Sequence, residues 1–354
     1  MGIKLGLDFG TSNIVVSTIL PGEGDEISVF DCWNDSYLLP SYVCLEDKDN
    51  PIVGGIAKEN WESGNKHCYR SFNLDIGRCS ESYAQSYPAG ITPELLTQYL
   101  IEHIKKTLLG NRQSTVEIGD IDEVVVSVPY CWSDDQQEAI KKTFTDAGSK
   151  VKSLVSEPIA AAAYYSYLHK KGDQVVLVCN IGDNTFDISL VRVLEKRKIE
   201  VIDSKSCEQA GMWADALIAK EFADEFNKRY GFKITADAQE LLRMTDDADI
   251  MVFLREANRV KEFLNNKRVA MLNNKRASVR KRKLLPAIVP LAYKHITLEL
   301  QFGSERLEET LTPIVEAGKS MIQALLNTNS DNPPDSVVMV GGMGKMQLQQ
   351  EMVT

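Results

Sequence analysis

The sequence has no apolar run approaching the roughly 18 residues that a membrane-spanning helix needs. Its first residues, MGIKLGLDFG, offer neither the basic segment nor the apolar stretch of a secretory leader. A cytoplasmic chain without a membrane partner is the expectation. Gly2 invites myristoylation, but position 6 is glycine where that motif calls for Ser or Thr. Histidine is scarce: His67, His103, His169 and His295 stand apart, with no nucleophile partner, and read as structural or exposed. The seven cysteines are odd in number, scattered, and show no C-x-x-C spacing. They read as reduced thiols, not as disulfides or zinc ligands. Basic charge is also in deficit, 40 Lys and Arg against 50 Asp and Glu for a net charge of −10. That balance argues against a nucleic-acid partner, which needs cations to displace phosphate counterions. The exception is Lys267 to Lys283, with eight Lys or Arg and no acid. A solvated face of an outer segment is its expected role, and an acidic-partner site or nuclear-type signal the alternative.

What is present is an ordinary globular composition, 354 residues of which 44% are apolar, enough for about two domains. Short β-branched runs alternate with helical stretches, the pattern of a mixed sheet covered by helices. Ile3 to Asp8 and Ile14 to Leu20 flank a Gly-Thr-Ser-Asn turn and read as a hairpin. Residues 94–109 carry apolar positions at helical spacing, with Gly110 as the stop. Strands are expected at Glu123 to Val128, Val151 to Val155 and Gln174 to Cys179, and helices at Asp134 to Ala147 and Pro158 to His169. Strand, turn and strand thus occur twice, at residues 3–20 and 174–193, which suggests two related lobes.

Both turns have the make-up that phosphate chemistry requires. In DFGTSN, Gly10 lets the backbone approach an anion, the Thr11 and Ser12 hydroxyls and the amides through Asn13 can donate, and Asp8 can hold water on a metal. NIGDNTFD repeats the device with Gly182, Thr185 and Asp187. Near the end, VVMVGGMGKM is a buried strand that breaks at Gly341 and Gly342, where no Cβ obstructs a flat ring or a ribose. Each alone reads first as an ordinary hairpin; three in order, each directly after an apolar strand, reverse that reading and point to a nucleotide.

With LPSYVCLEDKDNPIVGGIAKEN, the triplet Ile76 to Arg78, VVVSVPYCWSDDQQEAIKKTFTDAG and SEPIAAAAYY, these turns resemble the nucleotide-binding domain of Hsp70 chaperones, within the actin, sugar kinase and Hsp70 superfamily. The resemblance spans nearly the whole chain. It implies a two-lobed α/β fold of the actin-like ATPase kind, each core lobe a mixed, ribonuclease H-like sheet flanked by helices. Four subdomains are implied: core lobe I at 1–38 plus 95–172, its outer subdomain at 39–94, core lobe II at 173–228 plus 307–354, and its outer subdomain at 229–306. The implied ligand is ATP or ADP with Mg²⁺, on which the lobes close. Asp8 and Asp187 are the implied holders of Mg²⁺-bound water, Thr11 and Thr185 phosphate ligands, Glu157 the carboxylate beside the attacking water, and Pro129 a conformational switch. Gly211 opens the helix of the second lobe, Lys261 lies on the helix that meets adenine and ribose, and Gly341 to Gly344 form the last turn.

Several positions depart from the family pattern. Asn73 stands where the family has a lysine beside the γ-phosphate, and Asn180 where the second turn begins with an aspartate. A neutral amide supplies neither the charge nor the base. Asp183 and Asn184 replace two glycines, which places a carboxylate in a turn that should touch phosphate. Glu262 and Asn265 stand where an arginine stacks on the base and a serine bonds it, and Met343 and Gly344 replace a Ser-Thr pair. The expectation is a nucleotide-binding domain whose hydrolysis is weak or lost, the alternative being an ATPase with Asp183 as a relocated carboxylate. The chain stops about a dozen residues after Gly342, short of the family's peptide-binding part, so a protein partner or a missing C-terminal substrate-binding domain is expected to complete the activity.

Overall fold

The computed structural model describes residues 3–19, 27–31, 33, 36–78, 87–110, 121–169, 173–194, 198–235, 237–243, 247–273, 286–350 and 352. The chain divides into two compact units, Met1–Ala160 and Ala161–Thr354. Most of the basic run from Lys267 to Lys283, including Lys275 through Lys283, lies outside the described residues.

In the first unit, β1 (Ile3–Phe9) pairs antiparallel with β2 (Asn13–Ile19) and parallel with β8 (Ile121–Val128). With β3 (Ile27–Val29), β4 (Leu39–Pro40) and β9 (Val151–Ser156) they make a six-stranded sheet in which β1 is central. Ile3, Leu5, Leu7 and Phe9 alternate into the core, so the strand period fixes which side chains reach the opposite face. That core is closed by α2 (Pro93–Gly110), through Leu96, Leu100, Ile101 and Ile104, and by α3 (Asp134–Asp146), through Ile140 and Phe144. Helix α3 begins with a capping box, the Ser133 hydroxyl accepting from the Gln136 N–H while the Gln136 side chain accepts from the Ser133 N–H. α4 (Glu157–His169) follows directly on β9.

A smaller three-stranded sheet, in the order β6 (Ile52–Val53), β5 (Tyr42–Cys44), β7 (Cys68–Arg70), carries α1 (Gly55–Glu62). Here the expectation of seven reduced thiols is corrected: Cys44 and Cys68 face each other in the β5–β7 register and are joined as a disulfide, both buried. Cys131, Cys179 and Cys207 remain thiols, and burial pushes the Cys179 thiol up to about 12.

The second unit repeats the plan. β10 (Gln174–Ile181) pairs antiparallel with β11 (Phe186–Leu194) and parallel with β15 (Ser336–Val340), and β12 (Lys198–Cys207) completes the sheet. β10 and β11 are almost continuously buried, as strands covered on both faces are. α5 (Gly211–Tyr230) stops at Gly231, whose φ of 70° is the left-handed cap that glycine supplies. The remainder is α6 (Ala238–Arg243), α7 (Ala248–Asn273), the hairpin β13 (Ala287–Tyr293) and β14 (Ile296–Phe302), and α8 (Ser304–Thr328).

Candidate functional site

In each unit the candidate residues gather at the carboxyl ends of a parallel strand pair, the position where open α/β sheets bind ligands. Asp8 and Ser127 are register partners at the ends of β1 and β8, and the Ser127 hydroxyl donates to Asp8 Oδ1 at 2.8 Å. Asp8 reaches solvent, yet the protein packed around its carboxylate raises its pKa, and the Ser127 hydrogen bond partly opposes that. Ser127 was not foreseen from the sequence. Lining up the ends of the two buried strands would have found it.

The first turn is held from behind. Ser41, just before β5, donates its hydroxyl to the Gly10 carbonyl and its N–H to the Ser12 carbonyl, both at 2.9 Å. A Cβ at Gly10 would collide with the Asn13 carbonyl, so the tight turn admits only glycine. Thr11, Ser12 and Asn13 are half-buried along this turn. Asn73 sits on a short 3₁₀ turn (Phe72–Asp75) that follows β7, and its Nδ2 donates to the Phe9 carbonyl at 3.4 Å. Asn73 is buried and its Oδ1 has no hydrogen-bond partner. An acceptor stranded in this way costs about 1–3 kcal/mol. Glu157 opens α4, where the helix dipole favours a carboxylate.

The second turn closes on itself, the Gly182 N–H donating to the Thr185 carbonyl at 2.9 Å. The Thr185 hydroxyl donates to Asp187 Oδ2 at 2.7 Å, which brings that phosphate-ligand candidate onto the carboxylate assigned to the metal. Asn180 is the β-ladder partner of Asp187 and of Val340. Beyond Val340, Gly341 has φ 83°, and a Cβ there would collide with the Ile181 carbonyl. Gly342 is exposed, whereas Met343 and Gly344 are buried in the following 3₁₀ turn (Met343–Lys345). Asp183 and Asn184 are half-buried in the turn.

On α7 the candidates separate. Glu262 is exposed, Asn265 is half-buried, and Lys261 is 5% exposed, with its Nζ 2.7 Å from Asp215 Oδ1 and donating to the Gly211 carbonyl at 3.1 Å. Asn258, one turn before Lys261, donates to Asp215 Oδ2 at 3.1 Å. Burial pushes the Asp215 carboxyl from 3.8 up to about 6, with Lys261 pulling it down and Asp183 pushing it further up. Asp215 on α5 and Lys261 on α7 lie 46 residues apart, a separation that hides such a pair from any local pattern.

In each unit taken by itself, these residues have chemistry that suits part of a magnesium nucleotide. Gly10 and Gly341 stand where the chain needs space for close approach, Asn73 Oδ1 is an acceptor without a donor, and Asp8 and Asp187 are hard carboxylate ligands of the kind Mg²⁺ takes through water. Among the described residues no group of three or more His, Cys, Asp or Glu could bind a metal directly. No helix among them is long and apolar enough to cross a membrane.

A family model described as Hsp70 protein matches residues 4–354. The chain is 27% identical over 373 residues to the chaperone protein dnaK of Emiliania huxleyi, covering 100% of this chain and 56% of that protein. It is 24% identical over 355 residues to the chaperone protein DnaK of Thermosipho africanus (strain TCF52B), covering 99% and 54%. The chain therefore spans about half the length of the curated relatives it matches.

Proposed function

Because the chain belongs to the Hsp70 family and has that family's actin-like ATPase fold, we propose that it binds Mg-ADP and Mg-ATP, the glycine turn of each unit being a candidate phosphate ligand, while hydrolysing ATP weakly. The nucleotide-binding half of this reading is the family's; the weak hydrolysis is read from this chain's own side chains. The observation that carries it is Asn73, a buried neutral amide whose oxygen is unpartnered beside the first turn. At the position where the family resemblance implies a cation for the terminal phosphate, Asn73 offers an amide dipole.

In the first unit Asp8, oriented by Ser127, and in the second unit Asp187, bonded by Thr185, are each a carboxylate that would hold water on Mg²⁺. When bound, Mg²⁺ neutralises phosphate charge. The chain's own contribution is positional. Ser41 fixes the Gly10 to Ser12 backbone so that its amides stay arranged for an anion, and the Thr185 hydroxyl is placed by its carboxylate partner. Glu157 at the start of α4 is the remaining carboxylate proposed to order water.

Calorimetric titration with Mg-ADP tests the binding. Heat that saturates at or below millimolar ligand is expected, and its absence at that concentration rules the site out. The chain matches only about half of each relative's length, and we propose that a further segment or domain shares in the whole protein's activity.

A further inference from the structure

The second turn and the start of α5 are built against each other. The Gly211 N–H donates to the Gly182 carbonyl at 3.2 Å and the Met212 N–H to the Asp183 carbonyl at 2.7 Å. Two of the first N–H groups of a 20-residue helix are thus satisfied by the turn. The Asp183 carboxylate occupies the same corner. A Cβ on Gly211 would stand 2.7 Å from Asp183 Oδ1 and 3.0 Å from its Cα, so it is the missing side chain at Gly211 that gives this carboxylate room. Four residues along α5, Asp215 is buried in its pair with Lys261, and Lys261 also bonds the Gly211 carbonyl. Asp183 is near enough to push the Asp215 carboxyl upward. The corner therefore brings the Asp183 carboxylate close to the buried Asp215–Lys261 pair.

The start of a helix is where an anionic ligand is favoured. Here the chain supplies that anion itself, and any phosphate brought to the second turn meets a fixed carboxylate. We infer that Asp183 sets how many phosphates this chain accepts, disfavouring a nucleoside triphosphate relative to the diphosphate by holding a built-in carboxylate at the start of α5. The inference rests on the nucleotide reading above, and it concerns selectivity rather than binding as such. A triphosphate adds about one unit of charge near the turn, and repulsion at close range from a partly screened carboxylate is worth on the order of tenfold in affinity.

The test is calorimetry on the full chain and on Asp183→Asn, which keeps the shape and removes the charge, with Mg-ADP and with the Mg complex of a non-hydrolysable β,γ-methylene ATP analogue. In the parent the diphosphate should bind more tightly. In the variant the triphosphate analogue should gain on the order of tenfold, with ADP changing less than about threefold. An unchanged ratio overturns the inference while leaving the nucleotide reading intact. If neither protein binds either ligand, the nucleotide reading fails and takes the inference with it. A second measurement needs no ligand: Gly211→Ala should lower the thermal midpoint by placing a Cβ on the carboxylate, and adding Asp183→Gly should restore part of the loss. A Gly211→Ala protein as stable as the parent would show that the carboxylate does not hold this place.

Discussion

At the scale of single residues, the Asp215–Lys261 pair is the sharpest electrostatic feature. Both residues are buried, Asp215 8% and Lys261 5% exposed, and joined at 2.7 Å. Removing one partner of such a pair leaves the other charge stranded and costs about 3–5 kcal/mol. Lys261→Met should therefore lower stability to denaturant by that order, and adding Asp215→Leu should recover much of it, giving a strongly non-additive cycle. The pair also makes stability pH-dependent. Asp215 is raised from 3.8 to about 6 in the folded chain, so the folded state binds its proton more tightly than the unfolded state does. Its contribution is fully present below pH ~4 and is lost as pH rises through ~6, about 3 kcal/mol over that window. Asp215→Asn should flatten the slope of unfolding free energy against pH between ~4 and ~6; an unaltered slope would deny the shift. Asp8 is tested differently. Asp8→Asn should remove most of the Mg²⁺-dependent part of ADP affinity, and a parent that binds ADP equally with and without Mg²⁺ would remove the role proposed for it.

At the scale of elements, the Gly10–Asn13 turn depends on the small three-stranded sheet. Ser41 leads into β5 and bonds the turn, while Asn73 follows β7 and bonds the Phe9 carbonyl. The Cys44–Cys68 disulfide joins those two strands across a separation of 24 residues. Closing a loop of that size stabilises a fold by about 3 kcal/mol. The double variant Cys44→Ser, Cys68→Ser should melt roughly 5–10 °C lower than the oxidised parent. Added reductant should lower the parent's midpoint and leave the variant unmoved; a parent indifferent to reductant contradicts the pairing. Sequence periodicity showed β1, β2, β8, α3 and α4 to within a residue or two, because alternating and helical apolar patterns are local signals. It did not show the cysteine pair, because cross-strand register is set by how β5 and β7 align and not by spacing along the chain. Ser127 and Asn258 escaped for the same reason, each meeting its carboxylate only through tertiary packing.

At the scale of the molecule, the plan was legible from its repetition. Two strand–turn–strand devices produced two sheets, each with its glycine-bearing turn at the carboxyl end of a parallel strand pair. Family membership follows from a match over residues 4–354, although identity to the curated relatives is only 24–27%. Identity that low leaves room for a fold to persist while individual positions drift, which is what we propose for Asn73 and Asn180. Positioning and electrostatics are nearly all that a protein contributes to phosphoryl transfer, and losing one such group costs on the order of 10² to 10³ in rate. The most direct measurement is phosphate release from Mg-ATP, followed over hours, for the parent and for the double variant Asn73→Lys, Asn180→Asp. The account predicts slow release by a parent that still binds nucleotide, and a clear rise in the variant, less than the product of two single gains because groups acting as a unit do not add. A parent that already turns over rapidly, with no gain in the variant, would contradict it and place the chemistry on a relocated carboxylate such as Asp183.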